Sequence, residues 1–101
     1  MNTTTTSAAK FNAGKIHFVG AASSLSAKVK AEIVRAHVEG EWVDMNSYQR
    51  SVNEQNIAEN QGCVSSKFLF EGSGEFAHIF TDLNEGMTCI NLFTYAGGLA
   101  R

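Results

Sequence analysis

Apolar residues recur along the chain with two different periods, and the changes of period divide it into elements. Residues 15–22 alternate, with Ile16 and Phe18 on one face, which predicts a first strand. Residues 25–39 carry apolar side chains at helical spacing and end before Gly40, so they predict a helix. The short run 41–45 then predicts a second strand.

The second half of the chain contains two further predicted strands, at residues 64–71 and 87–95. The segment 74–85 between them decides the fold. Its apolar side chains occupy positions i, i+3, i+4 and i+7 and are Phe76, Ile79, Phe80 and Leu83. This spacing places them on one face of a helix, so we predict a second helix here.

The predicted order β, α, β, β, α, β favours an α+β fold of the ferredoxin-like type. In such a sandwich, two helices cover one face of a four-stranded antiparallel sheet. The other face would expose apolar and aromatic side chains, and we therefore expect a homo-oligomer. Residues 15–101 form the single predicted domain, and residues 1–14, with threonines at 3–6, are interpreted as a flexible N-terminal tail.

Composition limits the possible classes of function. The 101 residues are 44% hydrophobic, which suits one core. The net charge is −2 and the eight Lys and Arg residues are scattered, which argues against binding to nucleic acid. No apolar run approaches the ~20 residues of a membrane span, and the polar start lacks a secretory signal, so a cytoplasmic protein is expected.

Cysteine and histidine usage gives no sign of a metal site. Cys63 and Cys89 lack ligand spacing and are interpreted as reduced thiols. His17, His37 and His78 are far apart, and each is interpreted as a partly buried or surface side chain. We expect neither a metal nor a cofactor.

The polar stretch between the second and third predicted strands carries the candidate chemistry. We interpret it as a loop, and loops longer than about 12 residues are uncommon in a small domain unless they have a function. Tyr48 and Glu59 lie in it, eleven positions apart. The simpler interpretation makes both of them surface residues with local hydrogen bonds.

Short matches elsewhere in the chain support a family resemblance. Together with Tyr48 and Glu59, they are the pair Val43 and Asp44, the run CINLF at 89–93 and the run AGGL at 96–99. In these residues and in its element order the chain resembles the small phage enzymes that destroy S-adenosylmethionine, long called hydrolases and better described as lyases.

The resemblance implies a trimer of ferredoxin-like subunits with the substrate bound between neighbours. It also implies cleavage of S-adenosylmethionine to methylthioadenosine and homoserine lactone, through attack by the carboxylate of the substrate itself. Glu59 would bind the substrate ammonium group, or activate water if the reaction were hydrolytic, and Tyr48 would position the substrate.

Two alternatives remain open. Residues 61–65 and 92–94 look faintly like the pyruvoyl-dependent S-adenosylmethionine decarboxylases, with Ser73 as the self-cleaving serine. The chain departs from that family at Gly72, Phe80 and Tyr95, and the decarboxylase pattern needs a strand where we predict a helix. The second alternative is a small phage-type binding or inhibitor protein that uses the loop and the exposed sheet as its contact surface.

Overall fold

A computed structural model describes residues 8–94 and 98–99 of the chain. It contains two helices and four strands of four to eight residues, with a fifth strand of two residues at the end. In chain order these are β1 Lys15–Phe18, α1 Ala27–Val38, α2 Ser47–Glu59, β2 Cys63–Phe70, β3 Glu75–Asp82, β4 Met87–Thr94 and β5 Gly98–Leu99. A 3₁₀ turn, Gly20–Ser24, follows β1.

The strands form one mixed sheet in the order β1, β4, β3, β2, and β5 pairs with the end of β4. The predicted α+β class is therefore confirmed. The predicted purely antiparallel sheet is wrong, because β1 runs parallel to β4, from the pair Lys15 and Met87 to the pair Phe18 and Ile90. Parallel neighbours need a long crossover, and here both helices lie within it. The order β, α, α, β, β, β differs from the predicted one, and the ferredoxin-like arrangement is not confirmed.

The segment predicted as the second helix is strand β3. Its buried side chains Ala77, Ile79 and Thr81 alternate along one face, whereas Phe80 points to the other face and is 38% exposed. The large apolar residues of this segment happen to fall at helical spacing. The buried face of the strand is less apolar, because Ile79 lies between a small residue, Ala77, and a polar one, Thr81. A β period is hard to recognise when its inner positions are not all apolar.

The segment predicted as a functional loop is helix α2. Asn46 caps its N-terminus by accepting from the Gln49 amide at 2.8 Å, and the Gln49 side chain accepts from the Asn46 amide at 3.3 Å. Asn60 ends the helix in the left-handed conformation, with a φ of 54°. The predicted strand 41–45 is also wrong. That segment is irregular, and it buries Trp42, whose indole N–H donates to the His37 carbonyl at 2.8 Å.

The apolar core lies between α1, the 3₁₀ turn and one face of the sheet. Predicted as residues 25–39, α1 is confirmed at Ala27–Val38, and the Ser26 hydroxyl caps it by accepting from the Val29 amide at 3.2 Å. The fully or nearly fully buried members of this core are Ala22, Ile33, Ala77, Ile79, Ile90 and Leu92.

Part of the predicted tail packs on the domain. The Lys10 amide donates to the Val38 carbonyl at 2.7 Å, and Ala13 is buried. Gly14, with a φ of +67°, passes so close to Gly86 that an added Cβ would lie 2.0 Å from the Gly86 carbonyl oxygen. Residues 8–14 thus lead directly into β1, and residues 1–7 lie outside the described part.

The free edge of β2 is closed by two asparagines of α2. Asn53, 4% exposed, donates to the Ser65 carbonyl at 2.8 Å and accepts from the Ser65 amide at 3.3 Å. Asn56 donates to the Cys63 carbonyl at 2.8 Å. The side-chain amides therefore take the place that a neighbouring strand would occupy, and they hold α2 against the sheet.

Replacing Asn53 by Ala should destabilise the protein because both backbone groups of Ser65 lose their partners at the covered edge. We expect a loss of about 1 to 3 kcal/mol in the free energy of unfolding, measured by urea denaturation. Gln55→Ala, on the exposed side of the same helix, is the matched control and should change stability by less than about 0.5 kcal/mol. Equal effects of the two substitutions would contradict the assigned role of Asn53.

Candidate functional site

Tyr48 lies in the first turn of α2 and is 74% exposed. Its side chain lines a cleft of about 380 Å³ between α2 and β2. The other lining residues combine apolar, amide, thiol and hydroxyl groups and are Met45, Gln49, Val52, Asn53, Asn56, Cys63 and Ser65. We call this space the α2–β2 cleft. Its volume falls within the range of small-molecule sites, and it offers both an aromatic ring and hydrogen-bonding groups.

Glu59 is the last residue of α2 and is exposed. Its carboxylate accepts from the side-chain amides of Gln55 at 3.2 Å and Gln61 at 3.1 Å. Eleven helical residues make about three turns, so Tyr48 and Glu59 lie on nearly the same side of α2 but roughly 16 Å apart along its axis. The structure thus places the two predicted site residues on one helix, at opposite ends.

Cys63 is a free thiol, and burial together with the nearby charge of Asp82 raises its pKa. A raised pKa keeps the thiol protonated and makes it a weak nucleophile. Cys89 is also free and half-buried. Within residues 8–94, no group of three or more His, Cys, Asp or Glu side chains is placed to hold a metal ion.

Ser73 lies in the turn between β2 and β3. Its hydroxyl donates to the Phe70 carbonyl at 2.8 Å and accepts from the Glu75 amide at 3.0 Å, which is a local turn interaction. The strand after it is what the decarboxylase pattern requires, so the secondary structure no longer conflicts with that alternative. Gly72 and Phe80 still replace the expected glutamate and histidine, and Tyr95 lies outside the described residues.

The sheet face opposite α1 carries a row of rings and aliphatic side chains. Phe76 and Phe93 stack with centroids 5.6 Å apart, and His78 contacts Phe93 edge-on at 6.2 Å. Phe80 and Leu69 on the same face are each 38% exposed. We call these five residues the aromatic face.

A chain of four hydrogen bonds runs through the interior on the helix side of the sheet. His37 Nδ1 lies 2.5 Å from Ser66 Oγ, and His37 Nε2 lies 2.9 Å from Thr81 Oγ1. Thr81 Oγ1 lies 2.7 Å from Thr88 Oγ1, which donates to the Ala13 carbonyl at 2.6 Å. All four side chains are buried. We call this the histidine relay.

Counting hydrogens fixes the direction of the relay. Thr88 uses its one hydroxyl hydrogen on Ala13, so Thr81 must be the donor in the bond between the two threonines. Thr81 can then only accept from His37, which places a hydrogen on Nε2. The Nδ1 atom of the neutral ring is left to accept from Ser66. In this neutral form of His37 each hydrogen of the relay is used once.

Burial disfavours the imidazolium form and lowers the pKa of His37 to about 3, with a further contribution from His78. A serine beside a histidine can form a nucleophile and base. Here Ser66 is only 3% exposed, so the pair has a structural role. The sequence contains no short-range signal for this cluster, because its members come from α1, three strands and the N-terminal segment.

No helix within the described residues is long and apolar enough to cross a membrane. No family model, curated protein or solved structure matches the chain. The resemblance to S-adenosylmethionine lyases therefore remains a hypothesis based on the residues quoted for it.

The protein should lose stability as the pH falls from about 6.5 towards 3. An unfolded histidine has a pKa near 6.5, whereas that of folded His37 is about 3. Between these values the unfolded state binds more protons, and stability decreases as the pH decreases. We expect His37 alone to contribute a loss of about 3 kcal/mol between pH 7 and pH 4, measured by urea denaturation.

His37→Gln should flatten this part of the pH dependence, and the exposed His17→Gln variant should retain it. If the His37 variant does not fold, ¹⁵N NMR of the native protein gives the answer. The Nε2–H tautomer should persist at pH 5, and an imidazolium signal for His37 at that pH would contradict the relay.

Proposed function

We propose that this protein binds S-adenosylmethionine at the α2–β2 cleft and cleaves it to methylthioadenosine and homoserine lactone. The observation that carries the proposal is the position of Tyr48, the residue selected from the sequence, on the wall of a 380 Å³ cleft lined by amides and apolar groups. A phenol ring and amides suit a nucleoside, since the ring can stack on a base while amides bond its edge. The cytoplasm is the proposed place of action.

The reaction requires little acid–base catalysis by the protein, because the substrate contains both reacting groups. Its carboxylate oxygen forms a bond to the γ carbon, the bond from that carbon to sulfur breaks, and the electron pair leaves with sulfur as a neutral thioether. Opposite charges disappear in this step. A site that orients the two groups and excludes water would therefore accelerate it.

Glu59 is proposed to bind the substrate ammonium group. Its carboxylate is exposed at the far end of α2 from Tyr48, so a neighbouring subunit would have to cover it to exclude water. A homotrimer with substrate between neighbours, as the resemblance implies, would supply such a cover. Gln55 and Gln61, which already donate to this carboxylate, would orient it.

Purified protein incubated with S-adenosylmethionine should yield methylthioadenosine and homoserine lactone, followed by chromatography. Glu59→Gln should lower kcat/KM by about 10- to 100-fold, the worth of one hydrogen bond to a charged group. Glu54→Gln, on the same helix, is the matched control and should retain activity. Circular dichroism should show both variants folded.

Unchanged activity in Glu59→Gln would remove this residue from the mechanism. Homoserine in place of its lactone would indicate hydrolysis. Release of carbon dioxide, with a chain shorter than the 10.9 kDa of the intact protein, would favour the decarboxylase alternative. No product at any enzyme concentration would refute the proposed activity.

The second candidate is a non-enzymatic binding or inhibitor protein. The aromatic face favours it, because Phe80 and Leu69 expose apolar surface beside a row of rings. Such surfaces commonly mark contact sites for other proteins. Absence of turnover in the assay above would favour this candidate.

A further inference from the structure

Backbone groups on the outer edge of β1 have no hydrogen-bond partner among the described residues. The amides of Lys15 and Val19 donate to the carbonyls of Gly86 and Ile90, at 2.9 Å each, so these residues direct their backbone groups towards β4. Backbone direction alternates along a strand. The N–H and C=O groups of Ile16 and Phe18 therefore point away from the sheet.

An apolar groove of about 570 Å³ runs beside this edge, between β1 and α1. Its floor is formed by apolar side chains, namely Ile16, Phe18, Ala31, Val34 and Val38. Ile16 is 41% exposed, and Val19 at the end of the strand is 44% exposed.

The two edges of the sheet differ in how their outward backbone groups are covered. At β2, Asn53 and Asn56 bond the outward backbone groups and α2 covers them. At β1, exposed aliphatic side chains lie beside backbone groups that no described residue covers, and Lys15 and the shortness of the strand are the features in this part of the chain that discourage pairing. The β1 edge thus has the features of a surface that accepts another strand.

We propose that a second copy of this chain docks on the β1 edge, with β1 antiparallel to its counterpart, and so joins the two sheets into one. Centring the pair on His17 places Ile16 of one copy opposite Phe18 of the other. These residues carry the outward groups, so the register satisfies both pairs. The two-fold axis also brings the two grooves together.

The charges beside the groove select a second copy over an unrelated strand. Lys30 lies at one end of the groove and Glu39 at the other, and the residues between them are Ala31, Val34, Arg35 and Val38. The Arg35 guanidinium is already bonded to carboxylates of its own copy, those of Glu32, Glu39 and Glu41. A two-fold axis normal to the sheet makes the two α1 helices antiparallel. Lys30 of each copy then faces Glu39 of the other, and Ala31 faces Val38.

The present contacts of Lys30 and Glu39 are compatible with an ion pair between the two copies. Lys30 Nζ lies over the Phe18 ring at 5.1 Å, and Glu39 accepts from Arg35 at 2.8 Å. The remaining guanidinium donors of Arg35 bond Glu32 and Glu41. Nine positions separate Lys30 from Glu39 on one helix, so a pair between them forms only across the interface.

This interface lies at the opposite edge of the sheet from the α2–β2 cleft, so it does not depend on the proposed lyase activity. A trimer closing over Glu59 could coexist with it. An assembly using both contacts would be a hexamer, whereas an assembly using the β1 contact alone is a dimer.

The test is the mass in solution, by light scattering and sedimentation equilibrium. The native chain should form a dimer or hexamer of the 10.9 kDa subunit. Lys30→Glu and Glu39→Lys alone should each raise the dissociation constant of the dimer contact at least about tenfold, because like charges would then meet. The double variant should return to within about threefold of the native value.

Lys28→Glu is the matched control, since Lys28 is exposed on the same helix but does not line the groove. It should leave the dissociation constant unchanged. Equal melting temperatures of the variants under dissociating conditions would show that the fold is retained. A native chain that stays monomeric or trimeric at high concentration would overturn the proposal, as would an even-numbered oligomer that neither single reversal weakens.

Discussion

The interior of this protein is organised around one uncharged imidazole. His37 of α1 reaches Ser66 on β2 and Thr81 on β3, and through Thr88 on β4 the same chain of donors ends at the Ala13 carbonyl. Each hydrogen of the relay has an acceptor when the ring is neutral, and burial keeps it neutral by lowering the pKa of His37. The relay therefore fixes the position of the helix, the strand registers and the N-terminal segment at the same time.

The two edges of the sheet have different surroundings. The asparagines of α2 close the β2 edge, and the same docking creates the cleft that Tyr48 lines. The β1 edge has no such closure within the described residues. One side of the sheet is therefore suited to a small ligand and the other to a strand, and substitutions on one side need not disturb the other.

Sequence patterns predicted α1 and β4, in which large apolar residues mark the buried face. Helix α1 has Ile33 and Ala36 at its core positions, and Ile90 and Leu92 alternate along the buried face of β4, so both elements were recognised. Strand β3 was not, because Ile79 is the only large apolar residue on its buried face, while Phe76 and Phe80 on the other face complete a helical spacing with it. Helix α2 was not either, since its only buried side chain is the polar Asn53, although its Asn46 and Gln49 capping signal is visible in the sequence.

The candidate site was predictable only in part. The sequence located Tyr48 and Glu59 on one polar segment. Their distance follows from the helical conformation of that segment, which places them about 16 Å apart along the axis of α2. The relay could not be found from spacing, because hydrogen bonds join residues as distant along the chain as Ala13 and Thr88. Such contacts follow from the topology of the sheet.

The parallel pairing of β1 with β4 has a consequence for biosynthesis. Lys15 pairs with Met87, so β1 gains its neighbour in the sheet only after β4 has been synthesised. Contacts between such distant positions slow folding, and N-terminal segments emerge first. The apolar Ile16 and Phe18 therefore stay without their partner strand until residues 87–90 have been synthesised. A transcript truncated before β4 would yield a chain that lacks the centre of its sheet and is prone to capture by chaperones or to aggregation.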